Sequence, residues 1–300
     1  MSENKNILIT GGSGLIGTRL TTMLLDKGYT VSHLSRKRTG LEKIKTYQWN
    51  PSEGIIEDEA FTDIHYIIHL AGENIASHRW TKDFKKKIID SRVQSSLLLK
   101  EKMRGNKNIN AIICSSASGI YKEEGDKWVD ENSSHGNGFL SQTCEQWEAS
   151  NSHFPCRTVI LRTGIVLSEK NGALPELMKP LRFGFAVYFG KGNFYQSWIH
   201  VDDLCRMYIY CIEHNSIQGI YNAVAPNPVT NLELTNSLRK QISKFTMLVS
   251  APLFMLKLIV GEKSVIVTNG CRMSAKKIIG EGFQFFYTSI DDALKNLIGK

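Results

Sequence analysis

Residues 7–20 read ILITGGSGLIGTRL, and this stretch decides the fold. A short apolar run ends at Thr10, glycines then recur three apart at positions 11, 14 and 17, and Leu15, Leu20 and Leu24 fall near one helical stripe. The pattern predicts a strand, a tight turn and a helix. Gly11 permits the turn, Gly14 lets backbone approach a pyrophosphate, and Gly17 lets the helix pack on the strand. The helix start offers free N–H groups and a partial positive charge to phosphates. A nucleotide cofactor is therefore expected; a purely structural turn is the competing reading.

The end of the next strand selects among nucleotides. TVSHLS (30–35) runs into Arg36, Lys37 and Arg38, where an acidic residue would hold the adenosine ribose and favour NAD. Ser35 and Arg36 suit a 2′-phosphate through charge-assisted hydrogen bonds. NADP is expected over NAD; charges that simply face water are the alternative.

Working outward, YIIHLAG (66–72), NAIICSS (110–116) and TVILRTGIVL (158–167) read as further strands, and Phe84, Ile88, Ile89, Val93 and Leu97 recur at helical spacing. Strands this apolar are buried on both faces. The fold class is α/β: a Rossmann doubly wound parallel sheet with a smaller C-terminal α+β substrate lobe. The expected division is a Rossmann domain over 1–170, continued by 197–229, with 171–196 and 230–300 forming the lobe. Residues 171–196, rich in Gly, Pro and aromatics, read as an irregular lid or pocket wall, and KFTMLVSAPLFML (244–256) reads as internal packing.

Composition narrows the function classes. A hydrophobic share of 42% with 22% charged residues fits a globular chain. The net charge of +8 is spread without a long basic run, so it reads as a solvated surface, and no nucleic-acid partner is expected. The six cysteines show no CxxC spacing and no paired histidines, so no metal is expected. Cysteines within apolar stretches suit a reducing compartment. No basic-then-apolar leader is seen, and LVSAPLFMLKLIVG (248–261) is too short to span a bilayer. The expected location is cytoplasmic, with no membrane partner.

The glycine spacing, HLAG at 69–72 and SSASGIY at 115–121 resemble the extended, epimerase/dehydratase-like branch of the short-chain dehydrogenases/reductases. WNP, HLAGENIASHRWT, CEQWE, QSWIHVDDL, YNAVAP and RMSAKKIIGEGFQF resemble its atypical "epimerase family" subgroup, so the resemblance covers nearly the whole chain. It implies NAD(P) along the strand ends: Gly11, Gly14, Ile16 and Gly17 at the pyrophosphate, Ser35 and Arg36 at the 2′-phosphate, and Leu70, Ala71 and Gly72 as the adenine or ribose wall. A homodimer is the assembly it suggests. The usual catalytic set does not carry over. Ala117 stands at the hydroxyl position, Leu140 at the Tyr position, Cys144 at the Lys position, and Arg92, also placed against the cofactor, at the supporting Asn.

Other groups must then handle the proton. Ser116, Ser118 and Tyr121 flank the lost hydroxyl and are the candidate catalytic residues. Cys144 reads as a packed residue before a reactive thiol, which would need a nearby cation. Arg79 and Trp80, in the loop after a sheet strand, are candidates for holding an anionic group and stacking on a ring. Trp198 and His200 are candidates for shaping the substrate pocket. The expected function is redox or epimerase-type chemistry, with NADP, on a small polar, sugar-nucleotide-like substrate. A non-catalytic NADP(H)-responsive sensor is the rival reading.

Overall fold

A computed structural model of the chain describes residues 6–36, 44–242 and 245–299. Its central sheet holds eight strands: β1 (Asn6–Thr10), β2 (Thr30–Ser35), β3 (Lys45–Asn50), β4 (Ile55–Ile56), β5 (Tyr66–His69), β6 (Ala111–Ala117), β7 (Arg157–Thr163) and β8 (Gly219–Ala223). Their spatial order is β8-β7-β6-β5-β1-β2-β3-β4, all parallel except the last pair. Residue alternation explains the two-sided burial. On β1, Ile7 and Ile9 enter one apolar cluster and Leu8 the opposite one; on β6, Ala111 and Ile113 part from Ile112 and Cys114 in the same way. Helix α1 (Leu15–Asp26) packs beside α4 (Val201–Glu213), and α2 (Lys82–Lys102) beside α3 (Phe139–Ser150). The sheet is thus covered on both faces, and the Rossmann expectation holds.

Particular elements depart from the sequence reading. YIIHLAG stops being strand at His69, because the Leu70 and Ala71 N–H groups turn to Thr10 Oγ1 (both 3.1 Å). TVILRTGIVL is two strands, since Ile165–Leu167 leaves the sheet to pair with Trp198–His200. Gly164 allows that break: a Cβ there would lie 2.2 Å from Ser197 O. β3 was not expected, although Tyr47 and Trp49 alternate with exposed or half-exposed neighbours as an outer strand should.

Beyond the sheet, a third apolar cluster lies under α5 (Asn231–Ile242) and α7 (Ile290–Ile298). The stretch 171–196 contains the helix Ala173–Met178 and the strand Phe185–Phe189, which pairs in parallel with Met247–Ala251. The reading of 244–256 as internal packing is corrected. Phe245, Met247, Leu253, Phe254 and Met255 are exposed, and only Leu256 of α6 (Leu253–Val260) is buried.

Candidate functional site

The strand order reverses between β1 and β5, and both strands end at the glycine loop; this is where open α/β sheets bind ligands. Gly11 has φ +70°, and a Cβ on it would sit 3.0 Å from the Leu70 backbone carbon. A Cβ on Gly17 would sit 2.4 Å from Gly11 O, so only glycine lets α1 close on the turn. Gly14 is the N-cap of α1 and has no side chain to bond the first-turn N–H groups. Ile16 follows in that first turn, half-buried against the core. Gly12, missed in the sequence reading, is required by His33, whose ring would lie 2.5 Å from a Cβ.

A buried network fixes this edge. Thr10 Oγ1 bonds His69 Nδ1 (2.7 Å), and His69 Nε2 meets Ser96 Oγ (3.1 Å). Burial drives His69 down to about 3, so its ring is neutral. Leu70, Ala71 and Gly72 follow directly. Gly72 is pressed against Arg92, whose Cζ would lie 3.1 Å from a Cβ. Arg92 donates to Glu73 O (3.1 Å) and Ile88 O (2.9 Å) and lies over the Trp147 ring, so it pins this loop to α2 and α3. Ser35, half-buried, and Arg36, exposed, stand at the end of β2 beside the end of β1, where Thr10 registers with Leu34. Lys37 and Arg38 lie outside the described residues.

The four replaced positions do converge. Leu140 Cβ and Cys144 Sγ would lie 3.1 and 3.9 Å from a Cβ on Gly119, just after Ala117, and Cys144 bonds the Ala117 backbone. The charge of Arg92 reaches Cys144, but burial dominates and pushes the thiol up to about 12. Cys144 is packing, as expected.

Ser116 and Tyr121, the candidate catalytic residues, both belong to a buried hydrogen-bonded network. Ser116 Oγ donates to Glu148 Oε1 (2.6 Å), and Glu148 accepts from Arg162 Nε and Nη2 (2.9 and 2.8 Å). Arg162 Nη1 donates to Tyr121 Oη (3.0 Å), which donates to Asn222 Oδ1 (2.6 Å). Glu131 closes the circuit on the Asn222 N–H (2.7 Å). Burial pushes Tyr121 up to about 12, only partly offset by Arg162. Burial also works against the Arg162 charge, yet its bonds to Glu148 and Tyr121 hold it above its ordinary value. Both hydroxyls thus have protein partners, and Tyr121 holds its proton at neutral pH. Ser118 sits half-buried on the turn after β6, its carbonyl accepting from the Tyr121 N–H. Sequence reading missed Arg162, Asn222 and Glu131, although Arg162 and Asn222 stand in the quoted RTGIVL and YNAVAP segments.

A cavity of about 730 Å³ opens beside this corner at the same edge of the sheet. Gly119, Phe139 and Leu140 form one wall, Trp80 another, and Lys257, Glu262 and Val265 the third. An ion pair between Lys85 and Glu262 joins α2 to the third wall, and Lys263 Nζ donates to Ala76 O (3.1 Å). Trp80 meets Phe139 edge-on at 4.9 Å, with its indole N–H on Ile75 O. Arg79 diverges from it, exposed on a shallow outer pocket with His78 and Phe84. Trp198 and His200 do not line the cavity. Trp198 is wholly buried and donates to Asn227 O (3.0 Å); His200 caps α4 and stacks on Tyr287 at 3.9 Å. Burial places both in the packing of this structure. Among the described residues no His, Cys, Asp and Glu group could hold a metal ion.

A switch-point glycine loop with a walled cavity at the same sheet edge defines a nucleotide-binding protein of the short-chain dehydrogenase/reductase class. The chain belongs to the NAD dependent epimerase/dehydratase family, whose model matches residues 7–223; a model described as a domain of unknown function matches 251–297. It is 35% identical to the epimerase family protein YfhF of Bacillus subtilis over 98% of each chain. The crystal structure of the human epimerase family protein SDR39U1 with NADPH superposes with a TM-score of 0.89, at 26% identity over 98% of this chain and 99% of that one. UDP-glucuronic acid 4-epimerase from Bacillus cereus, solved with UDP-glucuronic acid and NAD, is 20% identical over 97% and 96% of the two chains, with a TM-score of 0.77, and shares the fold.

Proposed function

We propose that this chain is an NADPH-dependent reductase acting on a small polar substrate held in the cavity between Leu140, Trp80 and the 257–265 segment. The observation that carries the reading is that cavity, whose volume suits a substrate of a few hundred daltons and which opens at the sheet edge that bears the glycine loop. The glycine geometry fits the dinucleotide: Gly11 and Gly17 occupy places a Cβ would fill, and Gly14 leaves the start of α1 uncovered. Ser35 and Arg36 favour the 2′-phosphorylated form, and the NADPH carried by the human relative supports that choice.

When bound, the reduced nicotinamide supplies a hydride. The residues of the chain position the partners. Thr10 and His69 fix the switch point, Arg92 holds the Gly72 loop, and the Lys85–Glu262 pair draws the 257–265 wall toward α2. Leu140 gives an aliphatic surface where a Tyr would donate a proton. Oxidation of an alcohol, the first half of an epimerisation, needs a base for the hydroxyl proton, and Leu140 stands where the Tyr of the usual set would provide one. Reduction leaves an anion that water can protonate. The geometry therefore favours reduction over epimerisation, and an acceptor activated enough to forgo a general acid, which ordinarily contributes about 10²–10⁴ in rate.

The same locked hydroxyls favour a second reading, a non-catalytic NADP(H) sensor. Single-turnover oxidation of bound NADPH against a panel of electron-poor ketones and conjugated alkenes separates the two. The reductase reading expects at least one acceptor to be reduced with a solvent-derived proton. Tight NADPH binding with no oxidation by any acceptor would leave the sensor.

A further inference from the structure

Two stretches bring their large apolar side chains to the surface side by side. Phe183 (78% exposed) and Phe185 come from one; Phe245 (96%), Met247, Phe254, Leu258 (77%) and Ile259 come from the other. The pairing of Phe185–Phe189 with Met247–Ala251 sets Phe185 opposite Met247, and α6, exposed at all but Leu256 and the half-buried Val260, follows directly after that strand. Folded monomers rarely leave a large contiguous apolar surface without a partner.

The charges beside this face indicate what covers it. No acidic residue occurs between Glu176 and Asp202 or between Glu233 and Glu262, the stretches that build it. Arg182, Lys191 and Lys257, in contrast, are exposed there. A second copy docked by two-fold symmetry would set these cations against themselves with no carboxylate from either stretch to answer them. An anionic surface would answer them, and exposed Phe and Leu side chains beside Lys and Arg suit the headgroup boundary of a bilayer. No helix among the described residues is long and apolar enough to cross a membrane, so the contact is peripheral.

We propose that this face docks the protein on bilayers containing anionic phospholipid, with α6 and the Phe183–Phe185 edge in the headgroup region. The expectation of no membrane partner rested on 248–261 being too short to span a bilayer and on reading 244–256 as packed. Lys257 and Gly261, which flank the end of α6, also line the cavity, so docking would place the cavity mouth near the lipid.

Flotation of the full chain with vesicles of phosphatidylcholine alone, or with 30 mol% phosphatidylglycerol, tests the proposal. The protein should float with the anionic vesicles, less at high salt, and weakly with the neutral ones. Phe254→Ser with Leu258→Ser should lower partitioning about tenfold or more, since each removes several buried methylenes. Arg182→Gln with Lys191→Gln should lower it roughly tenfold and flatten the salt dependence. All these side chains are exposed, so the melting temperature should hold. Failure of the folded wild type to float with anionic vesicles at low salt overturns the proposal, as does flotation that neither double variant weakens. A concentration-dependent dimer that the Phe254/Leu258 variant dissolves, without flotation, would assign the face to a second copy.

Discussion

The two ends of the candidate site are built on opposite principles. At the β1–α1 turn the work is done by absent side chains: Gly11, Gly12 and Gly17 each hold space that another atom already needs. Around β6 and β7 it is done by side chains consumed in one another, since Ser116, Glu148, Arg162, Tyr121, Asn222 and Glu131 are joined in one hydrogen-bonded circuit. The first region should fail when an atom is added and the second when one is removed. The difference teaches that one sheet edge can be shaped at one end by missing side chains and at the other by polar side chains that satisfy one another.

The sharpest break is Glu148→Ala. It strands the Arg162 guanidinium, only 2% exposed, and should cost about 3–5 kcal/mol in urea unfolding, as breaking a buried pair does. A loss under about 1 kcal/mol would mean that the circuit is not structural. Next comes Gly17→Ala, which drives a methyl into the Gly11 carbonyl. Overpacking of about 1–3 kcal/mol predicts roughly 10- to 100-fold weaker NADPH binding in a fluorescence titration. Unchanged affinity would remove the loop from the cofactor site.

Arg36→Glu probes the same end by charge. Loss of one charge-assisted bond, worth about 1.5–3 kcal/mol, should erase a preference for NADPH over NADH of roughly tenfold or more. Equal affinities already present in the wild type would overturn the Ser35–Arg36 assignment.

The smallest effect is a pH dependence. The folded-state value for His69 is about 3 and the unfolded one about 6.5, so between them the unfolded chain binds the extra proton. Stability is therefore present above 6.5 and lost as pH falls toward 3. His33 and His200, also held low by burial, act in the same direction. Between pH 7 and 5.5 the His69 share is about 1 kcal/mol. Replacing His69 with Asn should flatten that slope in thermal melts; an unchanged slope would place the proton elsewhere.

Legibility followed the range of the interactions. The glycine loop, the β1 and β2 strands and the missing Tyr and Lys could be read because each is a local pattern. The proximity of Ala117, Leu140, Cys144 and Arg92 could be read only through resemblance, as they come from three elements. Trp198 and His200 looked like pocket residues because aromatic and imidazole groups near a strand end often are. Their burial depends on Asn227 and Tyr287, far along the chain. Tyr121 looked available until Arg162 and Asn222, from the neighbouring strands β7 and β8, claimed its hydroxyl. The 244–256 stretch looked internal because hydropathy records what a residue prefers, whereas Phe245, Met247, Phe254 and Met255 stand exposed in the fold.

By itself, then, the sequence determined the doubly wound sheet, the place of the cofactor loop and the absence of the usual acid, since these rest on periodicity, glycine sterics and residue identity within short windows. The tertiary structure alone decided which polar groups are spent on each other, where the cavity opens and which apolar face stays uncovered. Those outcomes depend on which distant side chains meet first in three dimensions, and burial then sets both the charge state and the hydrogen-bond partner of each.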